Sequence, residues 1–252
     1  MVTGAGAGLG AALARNLKAA GCHVVVADLH GDKAAQIAAE IGAEAAEVDV
    51  ANWEQVANLL RATKARYGSL DLMVNNAGIL IGGEPLEIPV EHWRRVLDVN
   101  LTGLIAGSLE ALRIMAEQGS GQILNITSVS GLALSPMLGA YSASKAGAVM
   151  FSRGLAEEAR AYGVHVALAC PGNMRTALAP AHVTWLMPAM EPNYAAKRIL
   201  RSLRRGKRII VFPFYANVWW WTERLSPGLL GPFRQVVVKR ARARQDAATR
   251  SQ

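Results

Sequence analysis

The sequence predicts an α/β protein in one domain, a doubly wound parallel sheet with helices on both faces. Three observations carry this reading. Stretches of helical periodicity alternate with short apolar, β-branched runs as far as residue 212, the mark of successive βαβ units. A length of 252 residues suits a single domain able to bury a sizeable core. Hydrophobic residues make up 52% and charged residues 18%, with 24 glycines spread along the chain, which excludes a disordered protein or a coiled coil.

In chain order, the apolar spacing predicts a helix over 11–20, a strand over 23–28, a helix over 32–41 and a strand over 44–49. A helix over 53–67 leads to a strand over 70–75, then one long helix over 90–117 and a strand over 122–127. The last units are a helix over 140–162, a strand over 164–170, a helix over 194–205 and a strand over 208–212. These make residues 1–212 the folded domain, and 213–252 a basic, tryptophan-rich extension. In such sheets ligands bind beyond the C-terminal ends of the strands, so the chemistry is expected there.

Other classes are set aside on composition. Only two cysteines occur, Cys22 and Cys170, each in an apolar run that reads as a buried strand or strand end, so there is no disulfide framework and a reducing compartment fits. The five histidines show no ligand spacing, and no metal site is expected. The net charge of +8 is lopsided: residues 1–196 carry 13 Lys/Arg against 17 Asp/Glu, and 197–252 carry 14 against 2. A mildly acidic body with a basic tail that has no fold of its own is a poor nucleic-acid binder.

The motifs fall where the fold wants them. Gly4, Gly6, Gly8 and Gly10 lie between the stub Met1-Val2 and a helix, where backbone N–H groups and the helix dipole can receive a pyrophosphate. Asp28 ends the next strand, where a carboxylate can accept hydrogen bonds from an adenosine ribose. Tyr141 and Lys145 are four apart on a helix and share a face.

Taken together, Thr3-Gly4-x-x-x-Gly8-x-Gly10, Asn75-Asn76-Ala77-Gly78, Asn100, Ser128, Tyr141-x-x-x-Lys145 and Pro171-Gly172 resemble the classical short-chain dehydrogenase/reductase family, over residues 2 to about 212. The resemblance implies a Rossmann fold and catalysis by Tyr141, Lys145, Ser128 and Asn100. Tyr141 would move the proton, which requires bringing a phenol of ordinary pKa near 10 down toward neutrality, at about 4 kcal/mol. Lys145 would assist it and hold the nicotinamide ribose. Ser128 would orient the substrate oxygen, with Thr127 and Ser130 as competitors, and Asn100 would anchor a water relay. Cofactor contacts would come from Gly4, Gly8, Leu9, Gly10, Asp28, Asp49, Val50, Asn76, Ala77, Gly78, Tyr141, Lys145, Pro171, Gly172 and Thr176. A carboxylate repels a 2′-phosphate, and Ala7 stands where family NADP enzymes often carry a cation, so NAD is expected over NADP, His30 being the one nearby group that could favour the latter.

The implied substrate is a lipophilic alcohol or ketone such as a steroid, retinoid or long-chain alcohol. The pocket-lining stretches 130–139 and 173–190 hold Leu132, Leu134, Met137, Leu138, Met174, Leu178, Trp185, Leu186, Met187 and Met190. The family's use of the helices at 90–117 and 140–162 as contacts implies a homo-oligomer. The rival reading is a non-catalytic nucleotide-sensing or membrane-docking protein on the same fold.

Two departures from the family stand out. Only Met1 and Val2 precede the glycine motif, so the central first strand is expected to be missing, as in an N-terminally truncated chain. In the tail, Trp219, Trp220 and Trp221 span too wide an arc for one helix face to bury, so at least one is expected at a surface or interface. The apolar stretch 209–221 is too short to cross a bilayer of about 30 Å. Beside the basic run it suits either a membrane interface or a subunit contact. The location expected is cytoplasmic, with peripheral membrane contact as the variant.

Overall fold

The computed structural model describes residues 1–176 and 188–250, the side chains of 241 and 244–250 excepted. Seven strands form one parallel sheet: β1 Val2–Thr3, β2 Val25–Asp28, β3 Glu44–Glu47, β4 Leu72–Asn75, β5 Gly121–Ile126, β6 Val164–Pro171 and β7 Ile209–Phe212, in the order β3-β2-β1-β4-β5-β6-β7. Successive residues point to opposite faces, and the sequence uses both. Val2, Val26, Val74 and Leu124 pack under α1 (Gly8–Ala19), α2 (Gly31–Ile41) and α7 (Pro192–Arg204). Val25, Met73, Ile123 and Val166 pack under α3 (Trp53–Tyr67), α5 (Gly103–Gln118) and α6 (Gly139–Glu158). Two apolar layers on one sheet are the doubly wound architecture.

Several expectations need correction. The central strand is present: β1 pairs with β2 (Val2 with Val26, Thr3 with Ala27) and with β4 (Val2 with Val74). It spans Val2–Thr3, and just ahead of it Met1 N donates to the Leu72 carbonyl at 2.9 Å. Cys22 lies exposed in the turn before β2, since the chain has not yet entered the sheet there, whereas Cys170 is buried on β6.

The predicted long helix is three pieces, α4 (Val90–Leu97), a π-helical turn (Asp98–Thr102) and α5. This run is long and apolar enough to cross a membrane, but most of it is buried against the sheet. The predicted helix over 140–162 is α6 followed by a 3₁₀ turn, Ala159–Tyr162. Beyond β7 the extension folds as two further helices, α8 (Phe214–Leu225) and α9 (Gly231–Arg250). On α8, Trp221 is half exposed beside Trp220, with ring centroids 5.3 Å apart.

Candidate active site

A cleft of about 370 Å³ opens along the C-terminal edge of the sheet. Its floor begins at the glycine turn between β1 and α1. Gly4 has φ +60°, and a Cβ there would stand 2.7 Å from the Ala77 Cα. At Gly10 a Cβ would overlap the Gly4 carbonyl oxygen, so only glycine lets α1 start this close to the loop. The turn is stitched to the loop after β4. Asn76 Nδ2 donates to the carbonyls of Thr3 (2.9 Å) and Gly4 (3.0 Å), while Thr3 Oγ1 accepts from the N–H groups of Asn76 and Ala77.

Asp28 closes the far side. Its Oδ2 accepts from Gly6 N at 2.8 Å and its Oδ1 from His30 N at 3.0 Å, which holds the carboxylate rigidly beside the turn. Asp49 caps its own loop by accepting from Ala51 N at 3.0 Å and pairs with Arg95 of α4 at 3.2 Å.

At the other end, Tyr141 and Lys145 enter from the first turns of α6. Lys145 is 4% exposed; its ammonium donates to the Ile126 carbonyl at 3.1 Å and lies 5.8 Å from the Tyr141 ring centroid. Burial brings Lys145 down from its ordinary 10.5 to about 8. Burial also raises Tyr141 above the usual phenol value, and a hydrogen bond with Ser128 pulls the other way. The expectation of a lowered tyrosine is thus not met by the protein alone: desolvation of the phenolate outweighs the hydrogen bond with Ser128.

Ser128 caps a short 3₁₀ turn, Val129–Gly131, accepting from Ser130 N at 3.1 Å. Its competitors are otherwise committed. Thr127 Oγ1 donates to the Ala169 carbonyl at 2.8 Å, and the Ser130 hydroxyl accepts from Ser135 at 2.9 Å.

Asn100 sits in the π turn, fully buried. Its amide exchanges two 2.8 Å hydrogen bonds with the backbone of Ile79 and donates to Ser144 Oγ at 3.1 Å. The wider turn lets one residue reach sideways and tie the loop after β4 to α6.

Of the expected residues, Gly4, Gly8, Leu9, Gly10, Asp28, Asp49, Val50, Asn76, Ala77, Gly78, Tyr141, Lys145 and Thr176 line the cleft. Four do not. Ser128 reaches it through Tyr141. Asn100 stands behind Gly78 and Lys145: a Cβ on Gly78 would be 3.1 Å from Asn100 Oδ1 and 3.5 Å from Lys145 Nζ. Pro171 is buried at the end of β6, and Gly172 is covered by Tyr215 of α8, because β7 and α8 pack over that strand end.

Sequence reasoning missed Lys33, Arg95 and Ile79, which line the cleft, whereas Met174, expected in the pocket, and Thr127, weighed against Ser128, line it as well. Lys33 had a signal, a cation five residues past Asp28 in the first turn of α2. Of the expected pocket-lining residues, Leu132 packs against Val149 and Leu168, and Leu138 is buried at the start of α6, so these two serve the core. Leu134, Met137, Met174 and Met190 keep some exposure, Met137 at a strained φ of +64°. Leu178, Trp185, Leu186 and Met187 lie outside the described residues.

A glycine turn with a fixed carboxylate at one end, and a tyrosine–lysine pair at the other, is the site of a dinucleotide-dependent oxidoreductase. The short chain dehydrogenase profile matches residues 1–186, and the chain belongs to the short-chain dehydrogenase/reductase family, NAD(P)-dependent oxidoreductases acting on CH–OH and C=O groups. An uncharacterised oxidoreductase of Staphylococcus aureus is 33% identical over 214 residues, 84% of this chain and 93% of that protein. A 3-oxoacyl-[acyl-carrier-protein] reductase of Synechocystis is 40% identical over 182 residues, 70% of this chain and 74% of that protein. Among solved structures, a short-chain dehydrogenase from Streptomyces avermitilis superposes with a TM-score of 0.81 at 28% identity, covering 93% of this chain and 95% of that one. One from Mycobacterium marinum gives 0.78 at 29% identity, covering 84% and 92%.

Proposed function

We propose that the chain interconverts a lipophilic secondary alcohol and its ketone with NAD(H), using Tyr141 as the proton-transferring group. The observation that carries this is one cleft joining the glycine turn and Asp28 to Tyr141 and Lys145.

The cleft fits a dinucleotide on its own geometry, since the glycine positions leave backbone where any side chain would collide. Gly4, Gly8 and Gly10 would hold the pyrophosphate at the start of α1, Asp28 the adenosine ribose, and Asp49, Val50, Asn76, Ala77 and Gly78 the adenine side. Thr176, in the loop that follows Pro171 and Gly172 at the end of β6, would meet the nicotinamide side. A bound nicotinamide would supply or accept the hydride.

The chain's own residues handle the oxygen and its proton. The Ser128 hydroxyl holds the substrate oxygen and stabilises charge developing there. Tyr141 gives or takes the proton. Lys145, still protonated at pH 7 with a pKa of about 8, places a positive charge beside the phenol and favours its ionised form. Asn100 is a positioning residue, tying Ile79 to Ser144 one residue from Lys145.

NAD is favoured because Asp28 is pinned in the wall, where a 2′-phosphate would meet it at about 4 kcal/mol per charge pair at 4 Å near a protein surface. Lys33 in the same wall is the observation that favours NADP. The lipophilic substrate is supported by Leu134, Met137, Met174 and Met190 in the loops flanking Ser128, Tyr141 and Gly172. The relative named as a 3-oxoacyl reductase also bears, by that name, on a ketone next to an acyl chain.

Titrating NADH and NADPH while following tryptophan fluorescence tests the cofactor. NADH is expected to bind at least about ten-fold tighter, with the preference collapsing in Asp28→Ala. NADPH binding tighter in the unmodified chain would refute the NAD assignment and give Lys33 the deciding role.

A further inference from the structure

The extension beyond β7 carries an apolar face that no described residue covers. On α8, Phe214 (80% exposed), Val218 (48%), Trp221 (49%) and Leu225 (77%) recur at helical spacing and form one stripe. On α9, Phe233 and Val236 are also exposed, while Val237 turns inward. Singly exposed apolar side chains are ordinary, but a contiguous run on two successive helices marks a surface built to meet something apolar.

The face stands at the cleft end of the molecule. Tyr215 of α8 accepts from Asn173 N at 3.2 Å beside Gly172. Arg242 of α9 makes a two-pronged ion pair with Glu84, at 2.8 and 2.9 Å, in the loop after β4. That loop is tied to the one preceding α6 by Gly83 N donating to the Met137 carbonyl at 2.9 Å. These same two loops expose Leu86 (96%) and Leu134 (54%). Helices and loops together therefore place exposed apolar side chains at the cleft end.

Charge selects the occupant. Residues 213–252, which carry α8 and α9, hold 7 Lys/Arg against 2 Asp/Glu, and Arg224 and Lys239 are exposed on α8 and α9 themselves. A second copy meeting this face about a two-fold axis would bring two such cationic segments together, whereas an anionic lipid surface neutralises one and takes up the aromatics. We infer that α8 and α9 dock the protein, cleft end down, on a bilayer containing anionic lipids, independently of which nucleotide the cleft holds.

Sedimentation of the full chain with phosphatidylcholine vesicles, with and without phosphatidylglycerol, tests this. The chain is expected to pellet with the mixed vesicles, to stay in solution with phosphatidylcholine alone, and to be released as salt rises. The triple variant W221S/L225S/F233S is expected to bind the mixed vesicles at least about ten-fold more weakly while keeping its circular dichroism and NADH binding. No binding to the mixed vesicles, or equal binding by the variant, overturns the inference. So does an oligomer that the variant dissociates with no lipid binding by either form, which would assign the face to a second copy.

Discussion

Replacing Lys145 by methionine is expected to leave the protein at least as stable while abolishing turnover. The ammonium is 4% exposed and makes a 3.1 Å hydrogen bond to the Ile126 carbonyl, and its pKa falls from 10.5 to about 8 through burial. A drop of that size corresponds to about 3 kcal/mol of preference for the neutral form, taking about 1.4 kcal/mol per pKa unit. Methionine has similar length, fills the same channel and leaves only the Ile126 carbonyl without its donor, a loss of about 1–3 kcal/mol. At pH 7 the net expectation is a change between about 0 and 2 kcal/mol in the variant's favour.

The pH dependence isolates the charge. Below about 8 the lysine is protonated whether the chain is folded or unfolded, and the burial penalty is fully present. Between about 8 and 10.5 the folded lysine is already neutral while the unfolded one still binds a proton, so the stability of the unmodified chain rises with pH relative to the variant. Above 10.5 the penalty is gone. Urea unfolding of both proteins from pH 7 to 10.5 reads this directly: the variant's advantage should shrink by about 3 kcal/mol over that window. A gap that does not change with pH would refute the reasoning.

Two further outcomes are expected. Gly10→Ala would drive a methyl group into the Gly4 carbonyl oxygen and against Asn76 Nδ2, so it should cost at least about 2 kcal/mol in urea unfolding and abolish NADH quenching of tryptophan fluorescence; retained nucleotide binding would mean the turn is looser than its packing indicates. Four apolar residues added ahead of Met1 should continue β1 along β2 and β4 into the cavity of about 290 Å³ bounded by Met1, Val24 and Leu72. With each new backbone hydrogen bond contributing about 1 kcal/mol, the melting temperature should rise by several degrees, and an unchanged value would count against any pairing there.

The readable parts of the fold were those in which a local pattern carries the information. Trp53–Tyr67 is a helix in sequence periodicity and in structure alike, because its apolar spacing meets Asn52 as an N-cap and Gly68 in the left-handed region at its end. The glycine turn was legible because only glycine tolerates such close approach. The π turn at Asp98–Thr102 was not. One extra residue per turn leaves the apolar pattern almost unchanged, and what holds it is Asn100 reaching the backbone of Ile79, twenty-one residues away.

From the sequence alone came the alternation of strands and helices, the glycine turn, Asp28, and Tyr141 four residues ahead of Lys145. Each depends on neighbours within a turn or two of chain, where covalent geometry and apolar spacing act. Tertiary structure decided what depends on distant partners. It brought Lys33 and Arg95 into the nucleotide wall, sent Leu132 and Leu138 into the core, and packed Tyr215 over Gly172. It also set the ionisation of Tyr141 and Lys145, because the cost of a charge is fixed by the atoms that replace water around it, and those come from every part of the chain.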